Sequence, residues 1–351
     1  MRRLRFSPWL ILVGMLGWAE GNAAPTAWDL LAWAQAPSVR YVGTMVTVTQ
    51  FRQERIVSRV RVYYQGPQRE RMEYLSGELA GAVWGRNERH FWRYDPVLKR
   101  VIVSPWPSEE KRPQRWALLR ANYSVSLLPP PVEPIAGRPV LALTLKPHHS
   151  ANPWKRLWLD REKHVILKQE LRDAQGTLLT QMQFQEINFD PPLEENLFAL
   201  PHTKQITTVR VQPPRRLSPS QLGRLVGFKV VEPPYLPPGY VLEGYYAYHC
   251  PCGCQMISAQ LQYTDGLNTL SIFETDRKHA GCFLPQGCPT VEGSEKTPCL
   301  LADYGCAKTA SVLTTQPLIV VVGNLAEEEL TRIARELGQR AKPVQTHRAG
   351  Q

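Results

Sequence analysis

Apolar and polar positions alternate with a period of two over most of the first half of the chain, which predicts strands. The extended runs are Arg40–Phe51 (RYVGTMVTVTQF), Ile56–Tyr64, Gln68–Leu75, Ala82–Trp84, His90–Tyr94, Lys99–Ser104 and Arg138–Leu145. Gly66-Pro67 turns the second run into the third, and Gly85-Arg86-Asn87-Glu88 reads as a turn. Three further runs follow, Lys155–Leu159, Val165–Leu171 and Leu178–Phe189. They are separated by Asp160-Arg161-Glu162-Lys163 and by Asp173-Ala174-Gln175-Gly176, both turn-forming. In the last run Met182 and Phe184 alternate with Gln181, Gln183 and Gln185, and the parity then flips to Ile187 and Phe189. That flip predicts a bulge near Glu186. The pattern is an antiparallel meander with one apolar face and one polar face.

Helical periodicity is confined to short stretches. Thr26 with Asp29 forms a capping-box variant ahead of Trp28, Leu30, Leu31 and Ala34, so Ala27–Gln35 reads as an amphipathic helix stopped by Pro37. Trp106–Pro134 breaks the strand series. It is rich in proline and apolar side chains, it reads as an excursion over the sheet, and Arg115–Ala121 within it is a helical turn. His202–Pro238 is a proline-rich passage, with a helix from Ser218 to Val226 capped by Ser218. Strands return at Tyr240–Tyr248, Ser258–Tyr263, Leu270–Phe273 and Leu318–Val322. Asn324 then reads as the cap of a helix with Leu330, Ile333, Ala334 and Leu337 on its buried stripe and Gly338 at its end.

The first 24 residues carry Arg2, Arg3 and Arg5, a short apolar run and small residues before Pro25. That is the layout of a cleaved secretory signal rather than a membrane span. Removing 1–24 leaves 327 residues, enough for two domains. Charge divides unevenly: residues 25–212 hold 26 Lys+Arg against 18 Asp+Glu, and residues 213–342 hold 12 of each. A basic first domain in an exported protein favours anionic partners (lipid headgroups or phosphates, or an acidic protein segment) over nucleic acid; solvated strand faces are the plainer explanation. All seven cysteines fall in the second part: Cys250, Cys252, Cys254, Cys282, Cys288, Cys299 and Cys306. Export makes disulfides the default, with Cys250/Cys254, Cys282/Cys288 and Cys299/Cys306 as local pairs among many connectivities. The odd count leaves one thiol free or paired between chains, so a homodimer stays open. A thiolate metal site is the weaker alternative, because Cys-x-Cys lacks the spacing of common zinc sites, and no metal or cofactor is expected.

The best ligand candidates are the aromatic side chains of the first domain: Trp84, Phe91, Trp92, Trp106, Trp116, Trp154 and Trp158, joined by Met182 and Phe184 on the apolar face of the last strand. Phe91 and Trp92 point to opposite faces of their strand, so one of the two lines any cavity. Each ring taken alone is better explained as packing, while the set together favours at least one ligand contact. No His-Glu-x-x-His, Gly-x-Ser-x-Gly or phosphate-cradling glycine loop is present, and the reading is non-enzymatic.

An ordered series of motifs resembles the MucB/RseB family of periplasmic sigma-factor regulators. In the first domain these are Tyr41-Val42-Gly43-Thr44, Glu70 through Gly77, Ala136-Gly137-Arg138-Pro139-Val140, and Leu157-Trp158-Leu159-Asp160 through Glu186. In the second they are Leu236-Pro237-Pro238-Gly239-Tyr240, Tyr263-Thr264-Asp265-Gly266-Leu267 with Leu270-Ser271-Ile272-Phe273, and Val320-Val321-Val322-Gly323. The resemblance implies an unclosed antiparallel β-barrel of the lipoprotein-carrier (LolA/LppX) type, residues 25–203. A proline-rich linker at 204–238, a smaller α+β domain at 239–342 and a tail at 343–351 complete it. The resemblance implies binding of the exported segment of a membrane-anchored anti-sigma factor, and a response to lipid or lipopolysaccharide. A lipid or lipoprotein carrier in the periplasm is the alternative. The cysteine-rich insertion departs from the family pattern.

Overall fold

The computed structural model describes residues 24–51, 54–105, 112–201, 205–211, 215–249, 256–276, 299–303 and 307–343. Helix α1 (Ala27–Gln35) precedes β1 (Arg40–Phe51), β2 (Glu54–Gln65), β3 (Glu70–Tyr74), β4 (Val83–Arg86), β5 (His90–Asp95) and β6 (Arg100–Pro105). Helix α2 (Arg112–Asn122) follows, then β7 (Tyr123–Leu127), β8 (Val140–Pro147), β9 (Trp154–Asp160), β10 (Ile166–Arg172), β11 (Leu178–Phe189) and β12 (Thr207–Arg210). These twelve strands form one sheet in the order β12-β6-β5-β4-β3-β2-β1-β11-β10-β9-β8-β7. β12 and β7 are its two edges, so the sheet curls without closing. Except for β12, which runs parallel to β6, each neighbouring pair is antiparallel.

Bulges bend the sheet. Thr44 faces Glu186 while Met45 faces Phe184, which leaves Gln185 as the extra residue, next to the predicted site. A second irregularity falls between Ile166 and Lys168 on β10. The helices cover one face, called inner here. The capping box of α1 forms as the sequence predicts: Asp29 N–H donates to Thr26 Oγ1 at 3.2 Å, and Thr26 N–H donates to the Asp29 carboxylate at 2.9 Å. Leu30, Leu31 and Ala34 of α1 and Leu119 of α2 pack on Leu143, Leu145, Leu157 and Leu159. The Trp106–Pro134 stretch is therefore not one irregular excursion. Its described part is a helix lying on the inner face, then an edge strand, then an irregular run over 128–134.

Gly85 lies inside β4 rather than in a turn, and the reason is the neighbouring strand. A Cβ there would come within 2.3 Å of the Trp92 ring, which lies flat across the glycine. Gly85→Ala is expected to push that ring out of its site and destabilise the first domain by about 2 kcal/mol. Chemical denaturation of the variant checks it, and an unchanged midpoint would show that the ring has room to move.

The second domain is a sheet of β13 (Arg216–Leu217), β14 (Val241–His249), β15 (Ile257–Thr264), β16 (Thr269–Thr275), β17 (Cys299–Asp303), β18 (Lys308–Val312) and β20 (Leu318–Gly323). Its order is β13-β14-β15-β16-β20-β18-β17, and β19 (Thr315–Gln316) pairs separately with β21 (Lys342–Pro343). Helices α3 (Pro219–Val226) and α4 (Glu327–Arg340) cover one face and complete a core around Leu222, Leu261, Ile272, Val321, Leu330 and Ile333. Ser218 caps α3 through a full capping box. The expected Asn324 cap of α4 is corrected. Ala326 occupies the cap position without a side-chain bond, three glutamates in the first turn face the positive end of the helix, and Gly338 stays helical. No described helix is long and apolar enough to cross a membrane.

Candidate functional site

Ladder register decides which side chains share a face, because directly paired residues point to the same side. One row across the inner face is Phe184, Met45, Val60 and Tyr74. The next is Ile187, Gly43, Val62, Met72 and Trp84. Between these rows and the end of α1 lies a cavity of about 190 Å³, lined among others by Tyr41, Met45, Val62, Met72, Met182 and Phe184, with Ala34 and Gln35 contributed by α1. Tyr41 and Tyr64 stack at 4.8 Å and Phe184 meets Tyr41 edge-on at 5.8 Å, so the floor is aromatic.

One ion pair breaks the apolar lining. Arg86 Nη2 lies 3.1 Å from Glu70 Oε2, and both side chains are about three-quarters buried (22% and 26% exposed). Burial pushes the Glu70 carboxyl up, against the pull of Arg86. Burial likewise raises the Tyr64 phenol to about 12 and the Tyr41 phenol further. The cavity thus offers an apolar volume with a single charged pair at its wall, suited to an acyl or similar apolar group.

The predicted ligand residues divide between the faces. Met182 and Phe184 line the cavity. Trp84 is on the inner face against Tyr74, outside the lining residues, and its Nε1 is buried with no acceptor. Trp116 sits on α2, edge-on to Trp28 at 5.8 Å. Trp92 is corrected: Phe91 pairs with Arg86 on the inner face, so Trp92 points outward. It is 0% exposed, packed with Val101 and Val103 under Leu200 and Ile206 of the chain that follows β11. Phe91, 37% exposed, is the member of that dipeptide on the inner face. Trp158 is also on the outer face, because it pairs with Lys168, Lys168 pairs with Gln183, and Met182 is the residue next to Gln183 on the opposite side. Trp106 lies outside the described residues, as do Cys250, Cys252, Cys254, Cys282, Cys288 and Cys306. Cys299 opens β17 and is buried in the second core.

Nothing in the alternation pattern points to the junction between the two domains. Asp265 follows β15, in a stretch legible as a turn, and it is fully buried. Its Oδ1 accepts the Leu267 and Asn268 N–H groups at 2.9 and 2.6 Å. Its Oδ2 accepts the Tyr123 hydroxyl at 2.6 Å, the Asn268 amide at 3.1 Å and the Asn152 amide at 3.4 Å. Asn122 at the end of α2 donates to the carbonyls of Gly239 and Asp265, both at 2.9 Å. At the rim Arg115 makes two bonds to Glu243, at 2.9 and 2.7 Å. Gly266 lies under the Leu119 backbone, where a Cβ would come within 2.4 Å. The end of α2 and the start of β7 are therefore keyed into the β15–β16 turn. Among the described residues, no three His, Cys, Asp or Glu side chains converge as a metal site.

Residues 32–207 match the family model of the MucB/RseB N-terminal domain, half of the chain. The chain belongs to the MucB/RseB family. The likeness continues past the matched domain. A crystal structure of MucB in complex with MucA(peri) superposes with a TM-score of 0.57 at 19% identity, over 91% of this chain and 98% of that one. The complex structure of Pseudomonas aeruginosa MucA/MucB gives 0.56 at 21% identity, over 88% and 96%. These two likenesses show the fold that MucB/RseB proteins share with this chain, second domain included. A search of curated proteins finds no match. The unclosed barrel and the smaller α+β domain are those the motif series implied.

Proposed function

We propose that this MucB/RseB protein is an exported, non-enzymatic regulator that binds the periplasmic segment of a membrane-anchored anti-sigma factor and is released from it by lipid. The observation that carries the reading is the family match over residues 32–207, extended through the second domain by likeness to MucB, itself solved in complex with MucA(peri). The cavity supplies the lipid half of the reading: apolar walls, an aromatic floor and room for part of an acyl chain, each buried CH₂ contributing about 0.8 kcal/mol. Release follows by linkage. A lipid that binds the partner-free form better weakens partner binding by the same coupling free energy.

Pull-down of the exported protein from envelope extracts tests the partner, and recovery of a single-span membrane protein is the expected result. Recovery of lipoproteins alone would favour the carrier reading, for which the cavity by itself is sufficient. Met182→Lys is expected to abolish retention of an acyl ligand in native mass spectrometry while the protein stays folded. Met182 is half-buried at the cavity wall, and a charge there must be desolvated by any chain that enters. Undiminished acyl retention would remove the cavity from the account.

A further inference from the structure

The outer face of the same sheet carries a feature that neither the cavity nor the junction uses. Cations and indoles interleave across β8, β9 and β10. Lys146 Nζ lies 3.4 Å from the Trp154 ring centre, and Arg156 stands between Trp154 and Trp158, 5.6 and 5.9 Å from the two rings. Lys168 covers Trp158 at 4.4 Å and Arg172 approaches Trp154 at 5.7 Å. The register forces this order, since Trp158, Arg156 and Trp154 pair with Lys168, Glu170 and Arg172 in turn.

The charge on this face is not balanced within it. Glu170 is the carboxylate of the group, and both its oxygens are committed, to Lys168 at 2.9 Å and to Arg172 at 2.7 Å. Lys146 and Arg156 have no carboxylate partner among the described residues, and Arg156 Nε is buried with no acceptor. Burial, then Arg156 and Arg172, push the Lys146 ammonium down. A face holding two unanswered cations beside two answered ones attracts anions.

We propose that the outer face of β8, β9 and β10 is a docking surface for an acidic, extended segment of polypeptide. Charge complementarity selects the acid. The sheet itself separates this face from the cavity, so an amphiphile cannot place its head here and its chain there. The indoles are covered by cations, and Trp154 is 7% exposed, so no ring projects to enter a bilayer surface. Lys146, Arg156 and Lys168 sit on successive strands, each two ladder positions from the last, a diagonal of roughly 17 Å, which is the length of about five extended residues. The surface stands on its own geometry; identifying its occupant as part of the anti-sigma factor's exported segment rests on the function proposed above.

The test titrates the full chain with a short synthetic peptide of alternating Glu and Thr, with its Gln–Thr counterpart, and with phosphatidylglycerol vesicles, following tryptophan fluorescence. The Glu peptide is expected to bind the more tightly, with an affinity that falls as salt rises. Lys146→Gln combined with Arg156→Gln is expected to weaken it about tenfold, and Arg156→Lys to restore part of the loss. Unfolding midpoints of each variant separate lost binding from lost structure. Equal binding of the two peptides, an unchanged affinity in the double variant, or a charge-dependent response to vesicles alone would each overturn the proposal. If the exported segment binds wild type and double variant alike, the surface is wrong and the partner reading stands. If the Glu peptide binds and the exported segment does not, the surface stands and the partner reading fails.

Discussion

Asp265→Ala is expected to uncouple the two domains. The substitution removes the acceptor of five hydrogen bonds in a fully buried site and leaves the Tyr123 hydroxyl and the Asn152 amide without that partner. Burial already pushes the Lys155 ammonium down, and Asp265 is the charge that opposes this. Deleting one member of such a network costs about 3–5 kcal/mol, mainly through the groups left behind. The cost falls on the junction rather than on either core, so calorimetry should show one unfolding transition becoming two. Limited proteolysis should open the stretch around residues 204–238. Asp265→Asn keeps an acceptor for the two backbone N–H groups and is expected to lose less. A single transition in Asp265→Ala, at the wild-type midpoint, would mean that the domains are held by something other than this network.

The second large effect is a dependence of stability on pH. Glu274 of β16 is 1% exposed, and burial raises its carboxyl to about 8, against the Val231 N–H that it accepts at 3.1 Å. In the unfolded chain the group titrates near 4.5. Between those values the native protein holds a proton that the unfolded chain has released, so stability falls as pH rises from about 4.5 to about 8 and levels off above. The loss over that window is on the order of a few kcal/mol. Glu274→Gln removes the titration and keeps an acceptor for Val231. Denaturation midpoints of the variant should stay flat over the window in which wild type declines, with the variant the more stable at pH 8. Parallel declines in both proteins would assign the dependence to other groups.

The sequence made the walls legible and the connections illegible. Period-two alternation located β1, β5 and β11 to within a residue, since each has one buried face. It also located the bulge at Gln185, where the parity of β11 changes. It misassigned Gly85, because a glycine opposite a tryptophan on the next strand looks the same in sequence as a turn glycine. Trp92 and Trp158 were misplaced for a related reason. Alternation says that neighbours point apart but not which one points inward. In this protein the outer face also buries rings, under Leu200 and Ile206 in one case and under lysine and arginine in the other. The junction was invisible because its residues, Asn122, Tyr123, Asn152, Asp265 and Asn268, are ordinary turn and edge residues until the two domains are docked. The Asp265-Gly266 turn offers the one retrospective hint: its glycine, at φ +97°, serves both the turn and the close approach of Leu119.

On the function proposed, the full chain binds the exported segment of a membrane-anchored anti-sigma factor and lipid opposes that binding. Isothermal titration of the purified protein with the exported segment of the single-span protein recovered by pull-down measures both halves at once. Saturable binding is expected, with a Kd of about 1 µM or tighter, near 8 kcal/mol, weakened when an acyl-chain ligand is present. Absence of heat up to about 100 µM segment, confirmed by a second method, would contradict the claim, and binding indifferent to lipid would contradict its second half.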